Sequence, residues 1–421
     1  MTSDARPLVG FRVLDFSHAA AGPYATMYLA DMGAEVIKIE KPGRGDGARF
    51  MGTPLLSPTD SDFYVGLNRN KKDLLLDLGK PEGTALAKRL AAISDIVVEN
   101  FRPGVMDRLG LGFDDLRALR PGLVYTSISA FGPTGPWSGQ PANDIIVQSM
   151  SGLMAITGEV GGGPVRIGAA VTDYSSGLFA LSGTLAALLV RDRHPEGQHV
   201  EVAMLDSAIA LMSNYVPSIV AGKRKRIPRV GRGHAQIVPY QAFPCSDGEY
   251  VMVGAFTNSF WRRLAGALGH PEWPDDPRYL TNAERLANRD ELVPKVEAIF
   301  RTKPRAHWLE VLKEADVPTS PVYELHEAIR SEQAVHNQIV RKVEDADATT
   351  YVVRSPIRVA EWASDAVDTP APPMGRDTKD VLTRVLGLDA AEIARLVDDE
   401  VVGLVQRGGA VSPSGAEAIP G

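Results

Sequence analysis

A chain of 421 residues with 45 lysines and arginines against 52 aspartates and glutamates carries a net charge of −7, which argues against general nucleic-acid or anionic-membrane binding. Hydrophobic residues make up 44%, which excludes disorder over most of the length, yet no run approaches the roughly 18 uninterrupted apolar residues of a membrane-spanning helix. With Cys245 as its only cysteine, the chain forms no intrachain disulfide and no cysteine-clustered zinc site.

At roughly 100–200 residues per domain, the length fits two or three domains. The 40 glycines and 30 prolines exceed the average share of about 12% and call for turns, close backbone approaches or long crossings. The first residues, MTSDARPLVG, carry neither the apolar stretch of a signal peptide nor the acid-free pattern of a transit peptide, so cytoplasmic residence is the expectation.

From Gly10 onward, short β-rich runs alternate with helical periods. Arg12–Phe16 reads as a strand, Pro23–Met32 as a helix and Glu35–Glu40 as a second strand, a βαβ unit. The rhythm continues with a helix at Glu82–Ile93, a strand at Asp95–Asn100, a helix after Phe113 and a strand at Leu123–Ser129. Such alternation predicts a parallel sheet. A small-residue-rich helix follows at Tyr174–Arg191, then a strand at His199–Ala203 and a helix at Ser207–Tyr215.

The pattern changes near Pro217. Residues 222–236, GKRKRIPRVGRGHAQ, are basic and glycine-punctuated, a linker or loop. A smaller α+β domain begins near Tyr240, with strands at Gln241–Phe243 and Tyr250–Gly254 and helices at Ser259–Leu268, Asp290–Phe300 and Arg305–Ala315. After Pro318 come a helix near Leu325–Ser331, strands around Val340–Val343 and Tyr351–Val353, a proline-rich crossing and a helix at Thr378–Leu386. The expected division is 1–216 for the first part of a large α/β domain, 217–239 for the linker, 240–317 for the small domain, 318–407 for a returning segment and 408–421 for a disordered tail.

Ligands of parallel sheets gather beyond the carboxyl ends of the strands. The first strand leads into Ser17-His18-Ala19-Ala20-Ala21-Gly22, a loop suited to an anion, although His18 taken alone also reads as a structural histidine. The GxGxxG spacing of dinucleotide folds is absent, so Glu40 as a ribose-binding acid is a weak alternative. Lys41, Arg44, Arg49, Lys71, Lys72 and Arg108 follow successive strands and suggest a polyphosphate pocket. Thr172-Asp173-Tyr174 opens a helix, and its aspartate is either an N-cap or a catalytic group. The histidines show no metal-ligand spacing, and no metal or other cofactor is expected. The basic run at 223–232 lacks interleaved aromatics and reads as a contact or anion-steering loop.

Taken together, VLDFSHAAAGPYATMYLADMGAEVIKIEKPGRGD, NRNKKDLLLDL, VVENFRPGVMDRLG, SISAFGPTGP, VTDYSSG and GHAQIVPYQAF resemble the class III CoA-transferases, the superfamily of formyl-CoA transferase, carnitine CoA-transferase and 2-methylacyl-CoA racemase. Within it the chain is most similar to dicarboxylate transferases of the succinate–hydroxymethylglutarate type. The resemblance implies a Rossmann-like large domain completed by the returning segment, a smaller α+β domain and an interlocked homodimer. It implies that coenzyme A enters as a substrate, with succinyl-CoA as donor and a small carboxylic acid as acceptor, and that Asp173 carries the group as an aspartyl-CoA thioester. By the same resemblance, His18, Lys41, Leu76, Asn100, Phe101 and Arg108 hold CoA. Oxyanion donors are expected near Asp173 or in Val253–Ser259.

Departures from the pattern bear on the subtype. Racemases of the superfamily carry a histidine where this chain has Asn143, which has no pKa suited to moving a proton, so a racemase-type isomerase is the alternative reading. A run of glycines typical of oxalate-using members is replaced by Gly254-Ala255-Phe256-Thr257-Asn258. A dicarboxylate needs a cation for its second carboxylate. Arg166 is the first candidate, against a plain surface ion pair, with His234 or Arg232 second and Asn143 in the acyl region. A scaffold that binds CoA without chemistry is a third reading, disfavoured by the retention of Asp173.

Overall fold

Strands β1 (Arg12–Asp15), β2 (Glu35–Glu40), β3 (Lys71–Leu75), β4 (Ile96–Glu99), β5 (Val124–Ser129) and β6 (Gln198–Ala203) form one sheet in the order β3-β2-β1-β4-β5-β6. All neighbouring pairs are parallel. Parallel strands are covered on both faces and so read as near-continuous apolar runs. Val13, Leu14, Ile37, Ile96, Val97 and Val124 are all fully buried. The computed structural model describes residues 5–346, 349–360, 362 and 369–404. The expected tail at 408–421 and parts of the late crossing lie outside the described residues.

The sequence reading leaves β3 out, because its first three residues, Lys71-Lys72-Asp73, suggest a loop. Lys71 and Asp73 are buried, and each is paired. The Lys71 ammonium donates to Asp15 at 3.1 Å and to Asn68 at 2.8 Å. Lys71 is therefore part of the sheet and not a strand-end cation free for phosphate, while Lys72 pairs with Glu35 at 2.8 Å. Arg49 is also corrected. Its buried guanidinium donates to Glu40 at 2.7 and 2.9 Å, pairs with Asp60 and Asp73 and lies 3.7 Å over the Tyr64 ring.

The chain divides into two compact units, 1–151 with 168–212 and 332–421, and 152–167 with 213–331. In the first, helices α1 (Ala21–Asp31), α2 (Pro81–Ala91), α3 (Val105–Arg108), α4 (Phe113–Leu119), α5 (Asp144–Ser151), α6 (Val171–Leu189) and α7 (Met204–Ala210) connect or cover the strands. Pro81 begins α2, where the missing N–H costs nothing, and Leu86, Ala87, Leu90 and Ala91 turn to the core. Helix α6 packs on α1 at Gly177, where a Cβ would lie 2.7 Å from the Ala21 carbonyl oxygen. No other residue allows that approach.

The returning segment closes the open edge of β3. The Asp73 N–H donates to the Asp377 carboxylate at 2.9 Å, and the Leu75 N–H donates to Thr378 Oγ1 at 3.1 Å. Unpaired edge groups are thereby satisfied. A C-terminal helix, Ala390–Asp398, adds Ile393 and Leu396 to the core beneath the sheet.

The second unit is built on β7 (Tyr240–Pro244), β8 (Tyr250–Gly254) and β9 (Thr319–Pro321), antiparallel in the order β9-β8-β7. Helices α8 (Asn258–Ala267), α9 (Arg289–Phe300) and α10 (Arg305–Glu314) bury Trp261, Leu264, Leu292, Val296, Phe300 and Leu312 with it. The segment 152–167 joins this unit, the Gly231 N–H donating to the Gly158 carbonyl at 3.1 Å.

Breaking a buried charge cluster by removing its cation costs about 3–5 kcal/mol. Arg49→Lys is expected to recover little of the roughly 3–5 kcal/mol of unfolding stability that Arg49→Ala is expected to lose in urea denaturation, since an ammonium on a shorter stem cannot reproduce the two-pronged contact with Glu40 while also reaching Asp60 and Asp73. A loss below about 1 kcal/mol would overturn this account of the cluster.

Candidate active site

The strand order reverses between β1 and β4, so the loops that follow these two strands part and leave a crevice at the carboxyl edge. Buried ions shape the loop after β1. Asp15 accepts from the Ser17 N–H at 2.9 Å and from Thr26 Oγ1 at 2.6 Å. The buried Lys38 ammonium donates to the Ser17 carbonyl at 2.6 Å and pairs with Asp46 at 2.9 Å. Asp46 in turn accepts from the Ala19 N–H at 3.0 Å, and Ala19 sits at a φ of 61°, a left-handed conformation a non-glycine residue adopts only when its surroundings hold it there. Burial is the largest influence on the Asp46 carboxyl and raises it, but Lys38 outweighs that and holds the group well below its ordinary range.

Across the crevice, the Asn100 side chain brackets the His18 peptide. Its amide Nδ2 donates to the His18 carbonyl at 2.7 Å, and its Oδ1 accepts from the His18 N–H at 2.8 Å. The His18 ring meets Phe101 edge to face at 5.6 Å. Burial, and then the positive charge of Lys38, push the imidazole below its ordinary pKa, so it is neutral at pH 7.

A cavity of about 540 Å³ opens here, within the usual range for small-molecule sites. One wall is apolar, formed by Leu76, Leu78, Phe101, Val105 and Leu109, while Lys41, Arg44, Asp46 and Asp77 supply charge. The Lys41 ammonium is exposed and 3.5 Å from Asp77. Of the residues that the resemblance assigns to CoA, His18, Lys41, Leu76 and Phe101 line this cavity. Asn100 does not line it and acts on the His18 peptide. Arg108 does not line it either; it is the exposed last residue of α3, whose Val105 does.

Asp173 lies in the same unit, in the first turn of α6. Its carboxyl is pushed up to about 7, first by burial and then by the charge of Asp144. Asp144, at the start of α5, is buried and accepts from the Thr172 N–H at 2.9 Å, from Thr172 Oγ1 at 2.8 Å and from the Gln148 amide at 2.7 Å. Asn143 precedes it as an exposed helix cap, its Oδ1 accepting from the Ile146 N–H at 3.3 Å. Arg166 and His234 belong to the second unit. His234 stacks on Tyr240 at 5.4 Å, and its Nδ1 accepts from the Gln236 N–H at 3.1 Å.

Three participants escape a sequence reading. Lys38 and Asp46 lie in VIKIE and GRGD, where a lysine inside an otherwise apolar strand is the available signal. Asp144 follows the recognised Ala142-Asn143 step but acts on a residue 28 positions away. Among the described residues no group of three or more histidines, cysteines, aspartates or glutamates is arranged to hold a metal, and no helix is long and apolar enough to cross a membrane.

Comparison with known proteins bears on the chemistry. The model of CoA-transferase family III matches residues 8–378. The chain is 38% identical to the succinyl-CoA:glutarate CoA-transferase of Mus musculus over 94% of its own length and 90% of that protein. It is 35% identical to the succinate–glutarate CoA-transferase of Agrobacterium fabrum over 90% and 96%. A crystal structure of a CaiB/BaiF family protein from Brucella suis superposes with a TM-score of 0.80 at 31% identity, covering 90% of this chain and 99% of that one.

Proposed function

Because the chain belongs to CoA-transferase family III, we propose that it moves CoA from succinyl-CoA to a small dicarboxylic acid through an aspartyl-CoA thioester on Asp173. The observation that carries this reading is the Asp173 carboxyl itself. It sits on the first turn of a helix, yet among the described residues no donor is bonded to it, and burial keeps it basic. A basic, poorly solvated carboxylate is a nucleophile looking for a carbon.

The Asp173 carboxylate attacks the thioester carbonyl, the C–S bond breaks and CoA leaves as thiolate, giving a mixed anhydride. The thiolate then attacks the Asp173 carbonyl, the donor acid departs as carboxylate and the aspartyl-CoA thioester remains. The acceptor carboxylate attacks that thioester and displaces thiolate. Finally thiolate attacks the acceptor's carbonyl of the second anhydride, releasing the new acyl-CoA and restoring Asp173. No net proton is consumed, and exchange between like carboxylates is nearly isoenergetic, so positioning and electrostatics supply the catalysis.

The cavity at the strand ends supports CoA binding by His18, Lys41, Leu76 and Phe101, with the adenine against the Leu76 and Phe101 wall and the phosphates toward Lys41. Asn100 contributes by holding His18, and Arg108, outside the cavity, is assigned to the phosphates by the resemblance alone. Asn143, Arg166 and His234 are assigned to the acyl substrate, Arg166 to its second carboxylate. The glutarate in the names of both curated relatives supports a five-carbon diacid as acceptor. The racemase reading finds no help in Asn143, whose amide has no pKa suited to moving a proton. The enzyme is assigned to the cytoplasm, with no nucleic-acid or membrane partner.

We assign the exposed apolar face of α5, α6 and α7 to a second copy in an interlocked homodimer. Ile145, Ile146, Met150, Leu178, Phe179 and Ile209 are all exposed there, and clustered apolar exposure marks an interaction surface. Sedimentation as a single chain at micromolar concentration would remove this assignment.

Incubation with succinyl-CoA followed by borohydride is expected to convert Asp173 to homoserine, detected by peptide mass, and Asp173→Ala is expected to lower kcat at least about 10³-fold. An active enzyme with Asp173 unmodified would overturn the mechanism. In a panel of acids read by CoA-ester mass, Arg166→Ala is expected to lose dicarboxylates by about tenfold or more relative to monocarboxylates, with KM for CoA esters unchanged. Equal loss for both classes would remove Arg166 from the acyl site.

A further inference from the structure

The first turn of a helix normally stabilises an aspartate there, through free N–H groups and the positive end of the dipole. Helix α6 does not do this for Asp173. The N–H one residue earlier, on Thr172, is already given to Asp144, as is the Thr172 hydroxyl, and the Gln148 amide fixes the other Asp144 oxygen. Thr172 and Gln148 are fully buried and Asp144 nearly so, so this arrangement cannot swing away without exposing unpaired polar atoms.

We propose that Asp144 is a positioning residue for Asp173: by taking the N–H and the hydroxyl of Thr172 it fixes the start of α6 and sets a like charge beside the Asp173 carboxylate, which makes that carboxylate a stronger nucleophile. The inference rests on the reading of Asp173 as the acyl carrier. Around Asp173 the titratable neighbours are Asp144 from α5 and Tyr174 on its own turn, the Tyr174 ring lying 4.7 Å from that of Tyr24 on α1. From β5, β6 and α7, the other elements packed on α6, no charged group among the described residues acts on it. Asp144 is the only charge that does so, and with burial it accounts for the upward displacement of the Asp173 carboxyl.

The sign follows directly. A raised carboxyl is protonated, and unreactive, below its own pKa, so the rate of thioester formation falls as pH drops through the neutral range. Removing the Asp144 charge lowers the Asp173 pKa and moves this acid limb to lower pH, while the less basic carboxylate attacks more slowly once fully ionised. Asp144→Asn suits the test, because its Oδ1 still accepts from Thr172 and Gln148 can turn its amide to meet the new Nδ2.

Single-turnover formation of the Asp173 thioester from succinyl-CoA is followed against pH by quenched mass spectrometry. The wild-type enzyme is expected to show an acid limb near pH 7. In Asp144→Asn the limb is expected about one unit lower with a plateau rate reduced about threefold and an unchanged KM for succinyl-CoA. Thr172→Val, which keeps the Asp144 charge and removes only the hydroxyl, is expected to leave the limb in place. A wild-type limb in the ordinary carboxylate range near pH 4, or an Asp144→Asn profile that superposes on wild type after scaling, would overturn the proposal. The wild-type arm needs no variant to fold. Failure to form any thioester on Asp173 would instead defeat the mechanism on which the proposal rests.

Discussion

Lys38 and Lys71 are fully buried ammonium groups inside the parallel sheet, and their demand for acceptors dictates the backbone around them. Lys71 finds Asp15, Asn68 and the Pro23 carbonyl, and burial still pulls it down to about 8. Lys38 finds Asp46 and the Ser17 carbonyl. Lys71 thereby ties the end of β1 to the first turn of α1, Lys38 holds the Ser17 carbonyl in the loop between them, and Asp46 takes the N–H of Ala19 in that loop. The loop is held at Ser17 and at Ala19. Gly22 completes it, since a Cβ there would lie 2.1 Å from that of Ser17. The shape of the crevice is thus set by electrostatics beneath it, and the strand order puts the crevice where it is.

This explains how a net-acidic protein can still offer a polyanion a welcome. Two of the cations that the sequence offers to a phosphate are consumed internally, Arg49 by Glu40, Asp60 and Asp73 and Lys71 by Asp15. Among the described residues the exposed Lys41 is paired with Asp77 alone, at 3.5 Å, a surface pair of small energy, and Arg44 lies on the same cavity. Two weakly committed cations next to an apolar wall suit a ligand with phosphates at one place and a flat ring at another. Under the proposed reading, the buried ions supply shape and the rim ions supply attraction.

The alternation of apolar runs with helical periods was enough to read the parallel sheet, because parallel strands are buried on both faces and carry little polar interruption. It failed at β3, where buried Lys71 and Asp73 imitate a loop. Their burial is possible only because Asp15 and Arg49 meet them from 56 and 24 positions away, and no local pattern carries that information. Asn100 and His18 illustrate the same limit: adjacent at the edge of the sheet and 82 residues apart, they form one unit that motif matching can only record as two binding residues. Asp173 was legible as an aspartate opening a helix, a position that a cap would also occupy. What separates a cap from a nucleophile is the surroundings of the carboxyl, here burial and the charge of Asp144, which lies 29 positions earlier in the chain.

Asp144 and Asp173 show how environment divides labour between identical side chains. Both stand at helix starts and both approach the first turn of α6. Asp144 receives the donors and is held; Asp173, half-buried beside it, receives none. The same pair of residues with the hydrogen bonds reversed would give a well-capped helix and an inert carboxylate on the reactive side. Two carboxylates whose surroundings push their behaviour apart are a recurrent way for a protein to keep one for structure and one for chemistry. Under the proposed reading, the division is made with one N–H, one hydroxyl and one amide, all buried, and the reactivity of the helix start is decided by side chains that need never touch a substrate.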